Sequence, residues 1–282
     1  MTSPARIAKA AADARDTGTG WARGLCPVCE ERTGKPDKKG SWSISLTTGF
    51  WSCWKCSAKG VLRDRNARPL PVEEAPVVEM RLPSGCVALS EGPGATAEVT
   101  APARAYLAGR GLTAETIRTA GILAVPSWGR IIMPIWAPGD LGPELRGWVA
   151  RAYVPTDKTY LYPKGFSRAD TVYNVAALAV RTTVPVMVVE GVFDALAWWP
   201  DAVAVLGKPS AWQVDALAAA RRPVAVILDG DAWREGWALA MTLRLRGQDA
   251  GCVKLPAGMD PDEVEGLREA ALDCLTNQIV EV

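Results

Sequence analysis

Three apolar runs in the last hundred residues each end in acidic residues, and this pattern limits the possible folds more than any other feature. Val184 to Val189 leads into Glu190-Gly191, Val224 to Leu228 leads into Asp229-Gly230-Asp231, and Val253 to Pro256 leads shortly into Asp260-Pro261-Asp262. Short β-branched runs bounded by Gly or Pro read as strands buried on both faces, and the helical spacing between them predicts an open, mainly parallel α/β sheet with flanking helices. In such sheets ligands bind outside the carboxyl ends of the strands. Carboxylates gathered at that edge repel one another unless cations sit among them, so the pattern points to a divalent-metal site and phosphate-transfer chemistry.

The chain has 282 residues, 49% apolar and 22% charged, which leaves room for about two domains. No run approaches the roughly 18 apolar residues of a membrane span. Met1 to Arg15 is Ala-rich but lacks the apolar core of a secretory signal, so no membrane partner and a cytoplasmic location are expected. There is no His, which excludes a Ser-His-Asp or Cys-His pair and any imidazole metal ligand within the chain. Acid–base work falls to carboxylates, Lys, Tyr or metal-bound water.

Charge and cysteine spacing set the N-terminal segment apart. Residues 1–65 hold 12 Lys/Arg against 6 Asp/Glu, whereas residues 66–282 hold 20 against 25. A basic segment suits either a nucleic-acid contact or a solvated surface. Cys26-Pro27-Val28-Cys29 and Cys53-Trp54-Lys55-Cys56 are two C-x2-C pairs separated by 23 residues, the spacing of two knuckles around one tetrahedral zinc. Ser41 to Leu46 alternates polar and apolar, and Phe50-Trp51-Ser52 precedes the second knuckle, which predicts a small antiparallel ribbon. So small a module has too little apolar area to fold by burial alone, so the zinc is expected to be structural. Trp21, Trp42, Trp51 and Trp54 lie among Lys35, Lys38, Lys39, Lys55 and Lys59, the mixture of a single-strand-binding face. Trp42 or Trp51 is expected in the core, with Lys38 and Lys39 exposed.

Pro69, Pro71, Pro76, Pro83 and Pro93 recur through residues 64–100, which reads as a flexible linker with Met80-Arg81-Leu82 a candidate short strand. Structure is expected to resume near Ala101, with helical spacing over Ala103 to Leu107 and Thr113 to Ala120, and strands over Ile131 to Trp136 and Gly147 to Tyr153. Residues 101–180 hold nine basic against five acidic side chains, as a polyanionic substrate beside a carboxylate site requires. Gly207-Lys208-Pro209-Ser210, between a strand and a helix, reads either as a phosphate-docking turn or as a plain capped turn.

Glu190-Gly191 and Asp229-x-Asp231, each closing a strand, resemble the TOPRIM domain shared by DnaG-type primases, type IA and II topoisomerases and certain nucleases. Tyr106 to Thr113, Arg130 to Ile135, Lys158 to Pro163 and Leu255 to Glu263 are similar to successive segments of the DnaG-type primase core. With a zinc ribbon in front, the resemblance covers nearly the whole chain. Four Cys stand where the family often has Cys-His-Cys-Cys, as in some phage primases. No GxxxxGK[ST] sequence supplies a helicase motor. Short length and missing helicase parts fit a phage, plasmid or mobile-element origin in a bacterial host.

The resemblance implies an α/β TOPRIM domain within an α+β primase core, plus a β-rich zinc ribbon. The expected divisions are a zinc ribbon over 1–63, a linker over 64–100, the N-terminal subdomain of a polymerase core over 101–182, and a TOPRIM domain with C-terminal helix over 183–282. It also implies primer synthesis on a single-stranded DNA template from ribonucleoside triphosphates, with a separate replicative helicase as a further partner. Glu190, Asp229 and Asp231 are the expected catalytic residues. Magnesium or manganese is assigned to Asp229, Asp231, Asp260 and Asp262, and zinc to Cys26, Cys29, Cys53 and Cys56. Arg130, Arg146, Arg151, Lys158 and Lys164 are candidates for triphosphate or template, with Arg130 first because a guanidinium grips phosphate bidentately. A TOPRIM nuclease using the same carboxylates, and a non-catalytic replication or repair factor, remain open alternatives.

Overall fold

The computed structural model describes residues 4–18, 20–46, 49–62, 80–89, 95–139 and 142–282. The chain divides into two units, Met1–Val78 and Glu79–Val282. Most of the expected linker lies outside the described residues. Within its described part, Met80-Arg81-Leu82 is not a strand, and the short strand falls instead at Val87–Ala88.

The first unit contains α1 (Pro4–Ala12), β1 (Arg15–Asp16), β2 (Trp21–Gly24), α2 (Cys29–Thr33), β3 (Trp42–Ser45), β4 (Phe50–Cys53) and β5 (Lys59–Val61). The strands form one antiparallel sheet in sequence order, wider than the expected ribbon. Ile7, Ala22, Trp42, Ile44 and Trp51 meet on one side of it together with the four cysteines. Both Trp42 and Trp51 are buried, their rings 6.2 Å apart, and Lys38 and Lys39 are exposed.

The second unit runs β6 (Val87–Ala88), α3 (Ala95–Gly109), α4 (Ala114–Thr119), β7 (Leu123–Val125), β8 (Arg130–Gly139), β9 (Gly142–Ala152), β10 (Tyr160–Leu161), β11 (Val186–Val189), α5 (Val192–Ala197), β12 (Ala202–Ala204), α6 (Ala211–Ala218), β13 (Val224–Val226), α7 (Trp233–Leu245), β14 (Ala250–Lys254), α8 (Leu267–Asn277) and β15 (Ile279–Glu281). Helix α3 starts six residues before the expected point. Pro102 lies inside it, whereas Pro usually marks a first turn, so the local pattern favours a start at 101. Thr113 caps α4 by accepting from the Thr116 amide at 3.1 Å.

Two sheets build this unit. Strands β10-β9-β8-β7-β6 are antiparallel, and β12-β11-β13-β14-β15 are all parallel, as the apolar runs predict. Along β11 and β13 the side chains alternate between two cores. Met187, Val189, Ala225 and Ile227 join Ile131, Met133 and Ile135 of β8 together with α5 and α8, while Val186, Val188, Val224 and Val226 pack with α6 and α7. Burial on both faces explains why these strands read as unbroken apolar runs. Strand β14 starts at Ala250, earlier than the expected run from Val253, and contains Gly251. A Cβ at Gly251 would lie 2.1 Å from the Cys274 carbonyl oxygen, so close packing of α8 selects a residue that weakens the strand signal.

Candidate functional sites

In the first unit the four cysteine sulfurs lie within 4.8 Å of one another. Cys26 Sγ is 3.8 Å from Cys56 Sγ, and Cys29 Sγ is 3.6 Å from Cys53 Sγ. Four sulfurs about 2.3 Å from a central zinc span tetrahedral edges of ~3.8 Å, whereas a disulfide requires about 2.05 Å. The donor set and spacing therefore fit zinc. Burial, reinforced by Cys53, pushes the Cys29 thiol up to about 11, and burial raises Cys26 as well. Burial acts on Cys53 too, but the Cys56 and Lys55 amides bring that thiol below its usual value. A dication is what would make all four thiolates.

Asp37 organises the first knuckle, a role that the sequence reading missed. It is buried, and its carboxylate accepts from the amides of Cys26 (2.9 Å), Lys39 (3.0 Å) and Ser41 (2.7 Å) and from the Ser41 hydroxyl (2.9 Å). Burial alone would raise its pKa, but these four bonds hold it at about 2.

In the second unit the acidic residues leave adjacent parallel strands at one edge. Glu190 follows β11, Asp229 follows β13, Asp231 lies in the turn entering α7, and Asp260 and Asp262 lie in the loop after β14. From β11 the chain goes first to β12 on one side and then to β13 on the other. The order therefore reverses between β11 and β13, which opens the crevice where such sheets take ligands. Glu190 and Asp229 flank it.

Mutual repulsion couples the group. Burial, then Glu190, Asp260 and Asp231, push Asp229 up to about 6. Burial and Asp231 raise Glu190, and burial with Glu263 and Asp262 raises Asp260. Asp194 belongs to the same group: it is 9% exposed and is pushed up to about 7 by burial and then by Asp262 and Asp229. Its carboxylate accepts the Gly191 amide at 3.0 Å. The available sequence signal was a Gly-x-x-Asp helix start directly after Glu190. Among the described residues only the cysteines form a closed cluster within 4.8 Å. The carboxylates are more open, which suits magnesium, a cation that keeps several waters and takes few protein ligands.

Gly230 fixes the spacing between two of the acidic loops. Its amide donates to the Met259 carbonyl at 3.0 Å, and a Cβ there would lie 1.9 Å from the Pro256 oxygen. Trp198 clamps the same loop by donating to the Pro261 carbonyl at 3.0 Å. Gly230→Ala is expected to cost about 2 kcal/mol by overpacking. Denaturant melts check this; an unchanged midpoint would contradict the close approach.

The basic candidates are placed unevenly. Arg130 is buried and donates to the carbonyls of Lys158 (2.6 Å) and Thr159 (3.1 Å), so its guanidinium ties β8 to the segment before β10. Arg151 donates to Tyr106 Oη at 2.9 Å and lies 4.8 Å from the Tyr160 ring centre. Arg110, to which no role was assigned from sequence, lies 4.9 Å over Phe193 and 3.4 Å from Asp262. These residues lead from the acidic edge to β9 and β10. Arg146 sits five residues along β9 from Arg151, roughly 17 Å for an extended strand. It is the extra residue of a bulge, since Ile135 pairs with Gly147 and Trp136 with Leu145. Lys158 and Lys164 are exposed. A cavity of about 850 Å³ lies instead beyond the C-terminal end of α5, and the described residues that line it, Trp136, Trp199 and Tyr173 among them, include no Lys, Arg, Asp or Glu.

No protein-family model matches the chain, and no curated protein aligns with it. Among solved structures it is similar to the Aquifex aeolicus primase zinc-binding and RNA polymerase domains, with 17% identity, TM-score 0.50, and coverage of 98% of this chain and 86% of that one. A DnaG catalytic core is also similar, at 22% identity and TM-score 0.48 over 64% of this chain and 72% of that one. The chain thus shares the fold of the zinc-binding and RNA polymerase domains of the Aquifex aeolicus primase.

Proposed function

We propose that the chain is a DNA primase, a DNA-dependent RNA polymerase that makes short RNA primers on single-stranded DNA. The observation that carries the reading is the gathering of Glu190, Asp229, Asp231, Asp260 and Asp262 at the β11–β13 switch point, where divalent cations would relieve their mutual repulsion and bridge them to nucleotide phosphates. Asp229, Asp231, Asp260 and Asp262 would hold magnesium or manganese. Bound there, the metal would neutralise and orient the attacking and leaving oxygens of nucleotidyl transfer. Glu190, raised above a free carboxylate and so a stronger base, would accept the proton of the attacking 3′-hydroxyl as pyrophosphate leaves the α-phosphorus. Arg110, Arg151 and Tyr160 offer charge and a ring face to the triphosphate or template.

The zinc unit would hold the template. Strand pairing aligns Arg15, Arg23, Ser43, Ser52 and Lys59 in one row across all five strands, on the face opposite Ala22, Ile44 and Trp51. Trp21 and Phe50 lie on this same face, and both are 38% exposed. Cations for phosphates and rings for bases support single-strand binding. Trp21→Ala and Arg23→Ala are each expected to weaken single-stranded DNA binding about tenfold, measured by fluorescence anisotropy. Unchanged affinity in both would assign the template to another surface.

Incubation with single-stranded DNA, ribonucleotides and magnesium tests the function as a whole. Oligoribonucleotides absent from Glu190→Gln reactions are expected. Metal-dependent shortening of DNA would instead make the same carboxylates those of a nuclease.

A further inference from the structure

The loop between β12 and α6 is anchored to Glu190. The Leu206 amide donates to the Glu190 carbonyl at 2.9 Å, extending the contact of the Val205 amide with Val189 at 3.0 Å. Leu206 makes this bond at φ +60°, a left-handed conformation that branched side chains seldom adopt, and Gly207 follows at φ +120°. The chain then presents Lys208, whose Nζ lies 3.8 Å from Glu235 Oε1. Glu235 is in the first turn of α7, which follows β13, and β11 lies between β12 and β13. The Lys208–Glu235 contact therefore crosses the carboxyl end of β11, over the crevice that Glu190 flanks.

This contact is loosely held. Its side chains are 88% and 54% exposed, and 3.8 Å is long for an ion pair, so an anion of higher charge can displace Glu235. Arg110, by contrast, is stacked on Phe193 and paired with Asp262. The ammonium also acts on the site: burial and Asp231 raise Glu190, and Lys208 opposes them.

We propose that Lys208 is a phosphate-binding residue of this site, exchanging Glu235 for an anionic oxygen of a nucleoside triphosphate in the β11–β13 crevice. The inference rests on the primase reading in that it takes nucleotide phosphate as the ligand. It adds a contact from a loop that the structure shows to be a capped turn, with the Gln213 amide donating to Ser210 Oγ at 3.1 Å and the Ser210 amide to Gln213 Oε1 at 2.8 Å.

Calorimetric titration of the full-length protein with MgATP, and with magnesium pyrophosphate, tests it without requiring turnover. Lys208→Ala is expected to weaken both ligands about tenfold, the loss of one charge-assisted hydrogen bond. Lys208→Arg should stay within about threefold of wild type, because the charge is kept. Glu235→Gln should bind at least as tightly as wild type, since the competing carboxylate is gone. Lys208→Ala binding MgATP as wild type does would overturn the Lys208 assignment alone. Wild type binding no MgATP would overturn both that assignment and the nucleotide reading beneath it.

Discussion

Asp229→Asn is expected to raise the melting temperature of the magnesium-free protein at pH 8 by about 5 °C, once solvent screening is allowed for, while lowering nucleotidyl transfer about a thousandfold. The opposite signs have one cause. Asp229 is pushed up to about 6 by burial and by Glu190, Asp260 and Asp231, so its charged form is disfavoured in the folded state. Such a group binds its proton more tightly folded than unfolded. Its contribution is therefore favourable at low pH and is lost as pH rises from about 4, the unfolded value, through 6. Asn removes that loss together with a proposed metal ligand. At pH 3.5, below both values, variant and wild type should melt together, and magnesium at pH 8 should stabilise wild type more than the variant. Calorimetric scans at the two pH values check this. A variant less stable at pH 8, or one that keeps its activity, would mean that Asp229 is only a structural cap.

Removing zinc should have the second large effect. Cys53→Ser, or chelation, is expected to unfold the Met1–Val78 unit while leaving the melting of Glu79–Val282 in place. The apolar core of the first unit is Ile7, Ala22, Val28, Trp42, Ile44, Trp51 and Ala58 beside the cysteines. Structural zinc contributes about 10–16 kcal/mol of apparent binding energy in comparable modules, as much as the gross burial of these side chains before the cost of ordering the backbone is subtracted. Exposure of Trp42 and Trp51, both buried, should shift the tryptophan emission to the red. Primer initiation should fall more than extension of a preformed primer, because the sheet face that would hold the template goes with the fold. Equal loss of both steps would contradict that division of labour.

The parallel sheet was legible because β11 and β13 are buried on both faces, which leaves an unbroken apolar signature, and because their acidic ends fall where the runs stop. The cysteine quartet was equally plain, since ligand spacing is local. Tertiary contacts hid the rest. Asp194 looked like an ordinary first-turn acid, and its burial beside Asp262 and Asp229 depends on loops far away in sequence. Arg130 shows the reverse. Its residue type suits phosphate, but carbonyls 28 and 29 residues away occupy its guanidinium. Asp37 was silent because its role depends on the amides of a folded knuckle.

On the proposed function, the carboxylates after β11, β13 and β14 join nucleotides on a template. One reaction containing end-labelled single-stranded DNA, differently labelled ribonucleotides and magnesium tests it most directly, with wild type and Glu190→Gln run side by side. New oligoribonucleotides above an intact template, made only by wild type, are the predicted result. A shortened template without RNA, or equal products from both proteins, would contradict it.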